Sequence, residues 1–355
     1  MVNAGKFVEV LEGEGVSFFT GVPDSLLKSF CAYLTDSRAG SHVIAANEGG
    51  AVGLAAGHYL ATGEPALVYM QNSGQGNAVN PLCSLADPDV YAVPMVLLVG
   101  WRGEPGVKDE PQHVKQGKVT VSLFETLGLP TEILPDDEDV ALESVRRMVA
   151  RAKSESRPVA LVVRKGLFAE YVLRDRKADI AALPREQAIE DVLKSLPEGA
   201  VVVSTTGMIS REVYETRERM GEGHSRDFLT VGSMGHAPMI ALGIARKLPD
   251  RQVFCLDGDG ASIMQMGNMA IAGQSGCSNL THIVFNNAAH DSVGGQPTVG
   301  GAIDLTAIAE ACGYNRQGAP AFREIKVAKG ARKDLGRPKE PPQANKALFM
   351  EALER

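Results

Sequence analysis

The apolar positions of this chain follow two alternating rhythms. Short apolar or largely apolar runs occupy residues 16–20, 42–46, 66–70, 93–99, 131–134 and 159–163, and then 201–204, 228–231 and 253–256, with a mixed run over 322–327. Runs of that length, bounded by glycine, proline and polar residues, predict strands buried on both faces. Between them apolar residues recur three and four apart. This predicts helices over 5–12, 51–61, 118–128, 140–152, 305–312 and 345–353, with others passing through Tyr214 and ending near Lys247. Strands alternating with helices are the mark of a parallel sheet covered on its faces. The rhythm breaks between 164 and 184, where charges gather: Arg164, Lys165, Glu170, Arg174, Asp175, Arg176, Lys177 and Asp179. We read 166–184 as a linker. The prediction is an α/β protein of two doubly wound domains, 1–165 and 185–355. Segment 316–321, before the last strand, is too short for a further helix, which puts the packing of that sheet edge in question.

Composition narrows the class. A chain of 355 residues has room for two such domains, and 44% hydrophobic with 22% charged residues is ordinary for a soluble globular protein. A net charge of -7 argues against nucleic acid or an anionic membrane as the main partner. No apolar run approaches the ~18 residues that would span a bilayer, and the stretch from Met1 to Lys6 carries no signal-peptide core. Cys31, Cys83, Cys255, Cys277 and Cys312 are widely spaced, which predicts buried reduced thiols and a cytoplasmic protein rather than zinc ligands.

Candidate chemistry collects where strands end. The run 253–256 flows into Asp257-Gly258-Asp259-Gly260-Ala261-Ser262, and positions 261–285 separate Gly260 from the pair Asn286-Asn287 at the end of the next apolar run. Glycines on both sides of an acid permit a tight turn whose N–H groups approach an anion, and a helix starting near Ala261 adds its positive end. Asp259 and Asn287 offer hard oxygens, which suit Mg2+ bridged to phosphates. Taken singly, Gly-Asp-Gly is an ordinary turn and Asn-Asn an ordinary strand end. The ordered pair, each at the end of an apolar run, is what points to a phosphate and a metal.

Other strand ends carry polar groups with bland roles of their own. Gly21-Val22-Pro23-Asp24-Ser25 places Asp24 as a helix cap, and Asn47-Glu48-Gly49-Gly50 puts Glu48 at a helix start. The string from Gln71 to Asn77 is a polar glycine loop at a strand end, where open α/β sheets bind ligands. Further on, Gly100-Trp101-Arg102-Gly103 precedes a loop that carries Gln112, His113 and Lys115. In the second half Thr205-Thr206-Gly207 and Gly232-Ser233-Met234-Gly235 follow strands, where a methionine is by default core packing.

Together these strings resemble the thiamin-diphosphate-dependent 2-oxo acid decarboxylases, specifically the two-domain members that act on phosphonopyruvate and sulfopyruvate, over nearly the full length. The resemblance implies a pyrimidine-binding domain over 1–165 and a diphosphate-binding domain over 185–355 with no middle domain. It implies thiamin diphosphate and Mg2+ as cofactors, with Glu48 on the pyrimidine ring. Thr206, Gly207, Gly232, Met234, Gly258, Asp259, Gly260, Ala261, Ser262 and Asn287 would contact the cofactor, Gly232 through its carbonyl and Met234 as a wedge that bends it. Asp259, Asn287 and the Ala289 carbonyl would hold the metal, and Ala288 stands where many relatives have glycine. Glu48, Asp24, His113 and His290 become the candidate catalytic groups, and Asn72, Arg102, Gln112 and Lys115 the candidate substrate contacts. Lys108, Lys329, Arg332 and Arg337 would add positive charge for a dianion. The implied partners are a small anionic 2-oxo acid and further copies of the chain, in a homodimer or larger homo-oligomer with sites between chains; neither nucleic acid nor membrane is expected. A carboligase using the same cofactor and a cofactor-free assembly subunit stay open, though the retained Glu48, Asp259 and Asn287 argue against the latter.

Overall fold

Each half of the chain builds one parallel sheet from its apolar runs. The computed structural model describes residues 1–174 and 177–354, so the linker charges Asp175 and Arg176 lie outside the described residues. Two units form, Met1–Arg176 and Lys177–Arg355.

In the first unit β1 (Phe19–Gly21), β2 (His42–Ile44), β3 (Ala66–Gln71), β4 (Met95–Gly100), β5 (Thr131–Ile133) and β6 (Pro158–Val163) lie in the order β2-β1-β3-β4-β6-β5, all parallel. Its helices are α1 (Ala4–Gly13), α2 (Lys28–Ser37), α3 (Glu48–Thr62), α4 (Gln75–Pro81), α5 (Pro111–Thr126) and α6 (Glu138–Glu155). The two-residue period of a strand sends Leu67, Tyr69, Val96, Leu98 and Leu161 to the layer of α1, α2 and α6. Val68, Met70, Leu97, Val99 and Ala160 go to the layer of α3, α4 and α5. Each buried Leu or Val contributes roughly 1.5–3 kcal/mol, and the unbroken apolar runs exist because both faces are covered.

The second unit repeats the plan. Its sheet holds β7 (Val201–Ser204), β8 (Asp227–Leu229), β9 (Val253–Gly258), β10 (Leu280–Asn286) and, after a small antiparallel hairpin of β11 (Ala289–His290) and β12 (Gln296–Pro297), β13 (Ala321–Lys326). The order β13-β10-β9-β7-β8 is parallel throughout. Helices α7 (Arg185–Ser195) and α8 (Met208–Met220) cover one face; α9 (Ala237–Lys247), α11 (Gly267–Gly273), α12 (Leu305–Cys312) and α13 (Pro342–Glu354) cover the other, and the short α10 (Asp259–Met264) follows β9. The sheets reverse their direction of growth between β1 and β3 and between β7 and β9. Outside the carboxyl ends of such strands an open α/β sheet has its natural crevice.

Several boundaries differ from those the hydrophobic pattern predicts. Helix α5 starts at Pro111, in the first helical position where its missing N–H costs nothing, so His113 and Lys115 are helical rather than in a loop. Helix α2 starts at Lys28 with Leu27 as its N-cap, so Asp24 caps no helix; its carboxylate accepts instead from the Leu26 and Leu27 amides in the preceding turn, at 2.9 and 3.2 Å. The doubtful edge is intact: β13 pairs with β10 from Ala321 to Lys326, and Asn315 Oδ1 accepts from the Phe322 N–H at 2.8 Å, which closes the short connection without a helix. All five cysteines are free thiols, but Cys83 is exposed, contrary to the expectation of burial. Among the described residues no helix is long and apolar enough to cross a membrane.

Candidate active site

The candidate residues of the first unit follow the carboxyl ends of β1, β2, β3 and β4. Asn47 caps α3 by accepting from the Gly50 N–H at 2.9 Å, which sets Glu48 in the first turn with its carboxyl buried. Asn77 Nδ2 donates to Glu48 Oε2 at 2.7 Å, and the other oxygen crowds Gly74 so closely that a Cβ there would fall 2.2 Å from it. Burial raises the Glu48 pKa against the pull of Asn77. Asp24, at the end of β1, is wholly buried, and burial pushes its pKa up to about 6.

Arg102 follows β4 and is forked onto Asp109, Nε to Oδ2 at 2.8 Å and Nη2 to Oδ1 at 2.5 Å, while Nη1 donates to Ser25 Oγ at 2.8 Å. Asn72, proposed from sequence as a substrate contact, has both amide atoms engaged: Nδ2 donates to the Arg102 carbonyl at 2.7 Å and to Thr120 Oγ1 at 2.8 Å, and Oδ1 accepts from the Arg102 N–H at 3.2 Å. It braces the Arg102 backbone. Gly117 lies against the backbone of Gly103 with no space for a side chain, so α5 packs on this turn and brings His113 into the field of Arg102. Burial and then that positive charge lower the His113 pKa to about 4, which keeps the ring neutral at pH 7. Lys115, two residues on, is exposed. Asp24 Oδ1, Gln112 Oε1 and His113 Nδ1 are buried without a hydrogen-bond partner. Unpaired buried polar atoms are costly, and a polar ligand would satisfy them.

The second unit places its candidates after the ends of β7, β8, β9 and β10. Thr206 and Gly207 follow β7, and Gly207, at φ 93°, is the N-cap of α8. Asp259 opens α10, where the carboxylate accepts from the Thr298 hydroxyl and from the amides of Asn287, Gly260 and its own residue. Burial nonetheless raises its pKa to about 6. A Cβ on Gly260 would meet the His290 ring at 3.2 Å and Met234 Cε at 3.4 Å, so the imidazole and the thioether lie directly over the glycine turn. His290 is held neutral, its pKa lowered by burial to about 4. Ser262, expected as a cofactor contact, gives its hydroxyl to Asp257 at 2.9 Å. Gly232 sits in the loop after β8, beside Ser233 at φ 54°.

Asn286 Nδ2 ties the strand end to the Gly300 carbonyl and to Glu324, each at 2.7 Å. Asn287 Oδ1 accepts from the Ala289 N–H at 3.0 Å. The hairpin's hydrogen bonds fall on the residues either side of Ala289: Thr298 N–H donates to the Ala288 carbonyl at 3.1 Å and Gly295 N–H to the His290 carbonyl at 3.0 Å. Ala288 has φ 55°, the left-handed conformation that explains why glycine suits this position. The tail cations are occupied elsewhere in the unit: Arg332 pairs with Glu186 and Glu215, and Lys329 Nζ donates to the Lys177 carbonyl at 2.6 Å.

These donors can be tested against the metal the sequence implies. Among the described residues no three His, Cys, Asp or Glu side chains cluster as a metal site. The candidate donors are the Asp259 carboxylate, the Asn287 amide oxygen and the Ala289 backbone carbonyl, an all-oxygen set that suits a hard cation completed by phosphate and water. The raised pKa of Asp259 records burial of a carboxylate with no neighbouring cation, and a bound cation would reverse it. The residues fit. Sequence reasoning marked the strings that hold Gly74, Asn77 and Gly100 but gave these residues and Thr298 no role of their own, because each acts through tertiary approach.

Residues 3–123 match the N-terminal TPP binding domain of the thiamine pyrophosphate enzymes, and residues 205–348 match their C-terminal TPP binding domain. The chain is 34% identical to a phosphonopyruvate decarboxylase of Streptomyces hygroscopicus, across 99% of this chain and 94% of that protein. It is also 34% identical to a phosphonopyruvate decarboxylase of Streptomyces viridochromogenes, across 96% and 92%. A sulfopyruvate decarboxylase of Methanosarcina acetivorans is 27% identical across 91% of this chain and 87% of its own length. With both cofactor-binding domains in place and relatives matching from end to end, the chain belongs to the thiamine pyrophosphate enzymes, as a thiamin-diphosphate-dependent decarboxylase of the phosphonopyruvate decarboxylase family.

Proposed function

We propose that this enzyme converts 3-phosphonopyruvate to 2-phosphonoacetaldehyde and CO2 as a step of phosphonate biosynthesis, as a cytoplasmic homodimer or larger homo-oligomer that uses Mg2+ with its thiamin diphosphate. The observation that carries the substrate assignment is the polar cluster of the first unit, where Arg102 stands with the unpartnered Asp24 Oδ1, Gln112 Oε1 and His113 Nδ1. That is a poor lining for an apolar 2-oxo acid, while the Arg102 guanidinium supplies the positive charge that a small anionic one needs. The names of the relatives at 34% identity favour the same substrate.

Bound thiamin diphosphate supplies the electron sink that a 2-oxo acid needs in order to lose CO2. The chain's own groups hold it and manage protons. Asp259, Asn287 and the Ala289 carbonyl would take Mg2+ and with it hold the diphosphate end of the cofactor. Glu48, its pKa raised by burial, stands where it can share a proton with the pyrimidine ring. Asp24, near 6, exchanges a proton at working pH, and the neutral rings of His113 and His290 can accept one. Arg102, Gln112 and Lys115 would meet the substrate's acidic groups.

Turnover on a panel of 3-substituted pyruvates tests the assignment. Phosphonopyruvate is expected to show much the highest kcat/KM, sulfopyruvate an intermediate value because its head carries one charge fewer when the phosphonate is fully ionised, and pyruvate the lowest. Pyruvate turned over equally well, or a preference for sulfopyruvate, overturns the substrate and leaves the cofactor chemistry standing. A condensation product formed with an added aldehyde acceptor would identify a carboligase instead.

A further inference from the structure

The Asn287 amide is clamped at both ends. Nδ2 donates to Asp291 Oδ2 at 2.5 Å, and Oδ1 accepts from the Ala289 N–H at 3.0 Å. A carboxylate only accepts and an N–H only donates, so the two partners fix which end of the amide is oxygen. Asp291 Oδ2 is itself a junction, accepting also from Arg185 Nη1 at 3.1 Å and from the Gly330 N–H at 2.8 Å. Arg185 is buried and forks onto the equally buried Glu212, Nε to Oε2 at 2.8 Å and Nη2 to Oε1 at 3.0 Å, with Nη2 reaching the Gly330 carbonyl at 3.2 Å. Such a pair cannot swing away without leaving a charge unpaired out of water.

We infer that Asp291 is the positioning residue for Asn287, turning its amide oxygen to the metal, and that Arg185, Glu212 and the backbone of Gly330 hold Asp291 in place. This rests on Asn287 being the metal ligand proposed above. Without the Asp291 carboxylate only the Ala289 N–H still favours that orientation, and the amide can more readily rotate half a turn and offer its NH2 group, which a cation rejects. The network also gives the tail a role in the site that its charged residues do not have: Gly330 reaches the metal site through one N–H and one carbonyl, while Arg332 is paired with surface acids.

The test uses the full-length chain with thiamin diphosphate and Mn2+ as the probe, followed by electron paramagnetic resonance. Asp291→Ala is expected to weaken Mn2+ binding about 10–100-fold and to alter the hyperfine pattern, while the circular dichroism of the metal-free chain stays unchanged. Asp291→Asn preserves the size of the side chain and, should the alanine variant not fold, carries the test: it is expected to weaken Mn2+ several-fold, because its own amide no longer dictates the orientation of Asn287. Mn2+ affinity and spectrum unchanged in either folded variant overturns the inference alone. Wild-type chain that binds thiamin diphosphate equally well in excess chelator overturns the metal assignment and this inference with it.

Discussion

Asp24 and Gly100 meet where no side chain could stand between them. Asp24 Oδ2 lies 2.1 Å from the point at which a Cβ on residue 100 would begin, and that oxygen is held from the other side by the Leu26 and Leu27 amides. The carboxylate has no slack to retreat. Gly100→Ala is expected to destabilise the chain by about 1–3 kcal/mol, the usual cost of overpacking, and to reduce turnover by displacing Asp24. Thermal unfolding and steady-state kinetics check this, and wild-type values for both would show that the carboxylate can work from another position.

The burial of Asp24 has a pH signature. Its pKa rises from 3.8 to about 6 on folding, because burial outweighs the Leu26 amide and then the Arg102 charge. The native chain therefore holds a proton that the unfolded chain has released, and stability falls as pH climbs through that window. His42, His113 and His290 act in the opposite sense: each is lowered by burial from 6.5 to about 4, so their contribution is complete above 6.5 and is lost as pH falls through 4. Asp24→Asn removes only the first effect. Relative to wild type it is expected to gain up to ~3 kcal/mol at pH 7, with the gain gone below about pH 4. Denaturant unfolding from pH 4 to pH 8 measures the difference, and a difference that does not change with pH would mean Asp24 titrates as an ordinary carboxylate.

What could be read beforehand follows from which forces are local. Strands β3, β4 and β6 are buried on both faces, so their positions announce themselves as apolar runs. Asp259 and Asn287 were legible because each ends such a run. The start of α5 was not: its inward residues are His113, Gly117 and Thr120 while Val114 faces solvent, so hydrophobic periodicity carries no trace of the first turns. Nor could sequence show that Asn287 depends on Arg185, which stands far earlier in the chain and meets it only through Asp291. Glycines were visible as turns, but the close approaches at Gly74 and Gly100 exist only in three dimensions.

Ala288 offers a prediction of opposite sign. It sits at φ 55° between the two amides and the hairpin, with its N–H on Asn286 Oδ1 at 2.9 Å, so the turn cannot relax. An alanine there costs roughly 1–2 kcal/mol, and glycine's greater freedom in the unfolded chain returns about 0.5–1 of that. Ala288→Gly is expected to be stabilising by about 0.5–1 kcal/mol, seen as a higher Tm. Ala302→Gly, at φ -111°, is the comparison and should lose stability. A lower Tm for Ala288→Gly would show that the left-handed turn is not strained.

Glu48 decides whether the first unit does chemistry or only packs. Its carboxyl is buried, its pKa is raised, and its two oxygens have different neighbours: Asn77 holds one, and the other lies over Gly74, where any side chain would collide with it. A surface acid at a helix start would need neither the buried amide partner nor the glycine. Glu48→Gln keeps the shape and can still hydrogen-bond to Asn77, so the chain should fold and bind thiamin diphosphate as before. What it lacks is a group that can hold and release a proton, a role worth about 10²–10⁴-fold in rate. Turnover should fall by that factor, and exchange of the cofactor's C2 proton, followed by NMR after mixing with heavy water, should slow in parallel. Asn77→Ala separates orientation from proton transfer: with the carboxyl present but no longer held, a smaller loss of both rates is expected. Exchange and turnover near wild type in Glu48→Gln would reduce Glu48 to an acid that merely favours the start of α3.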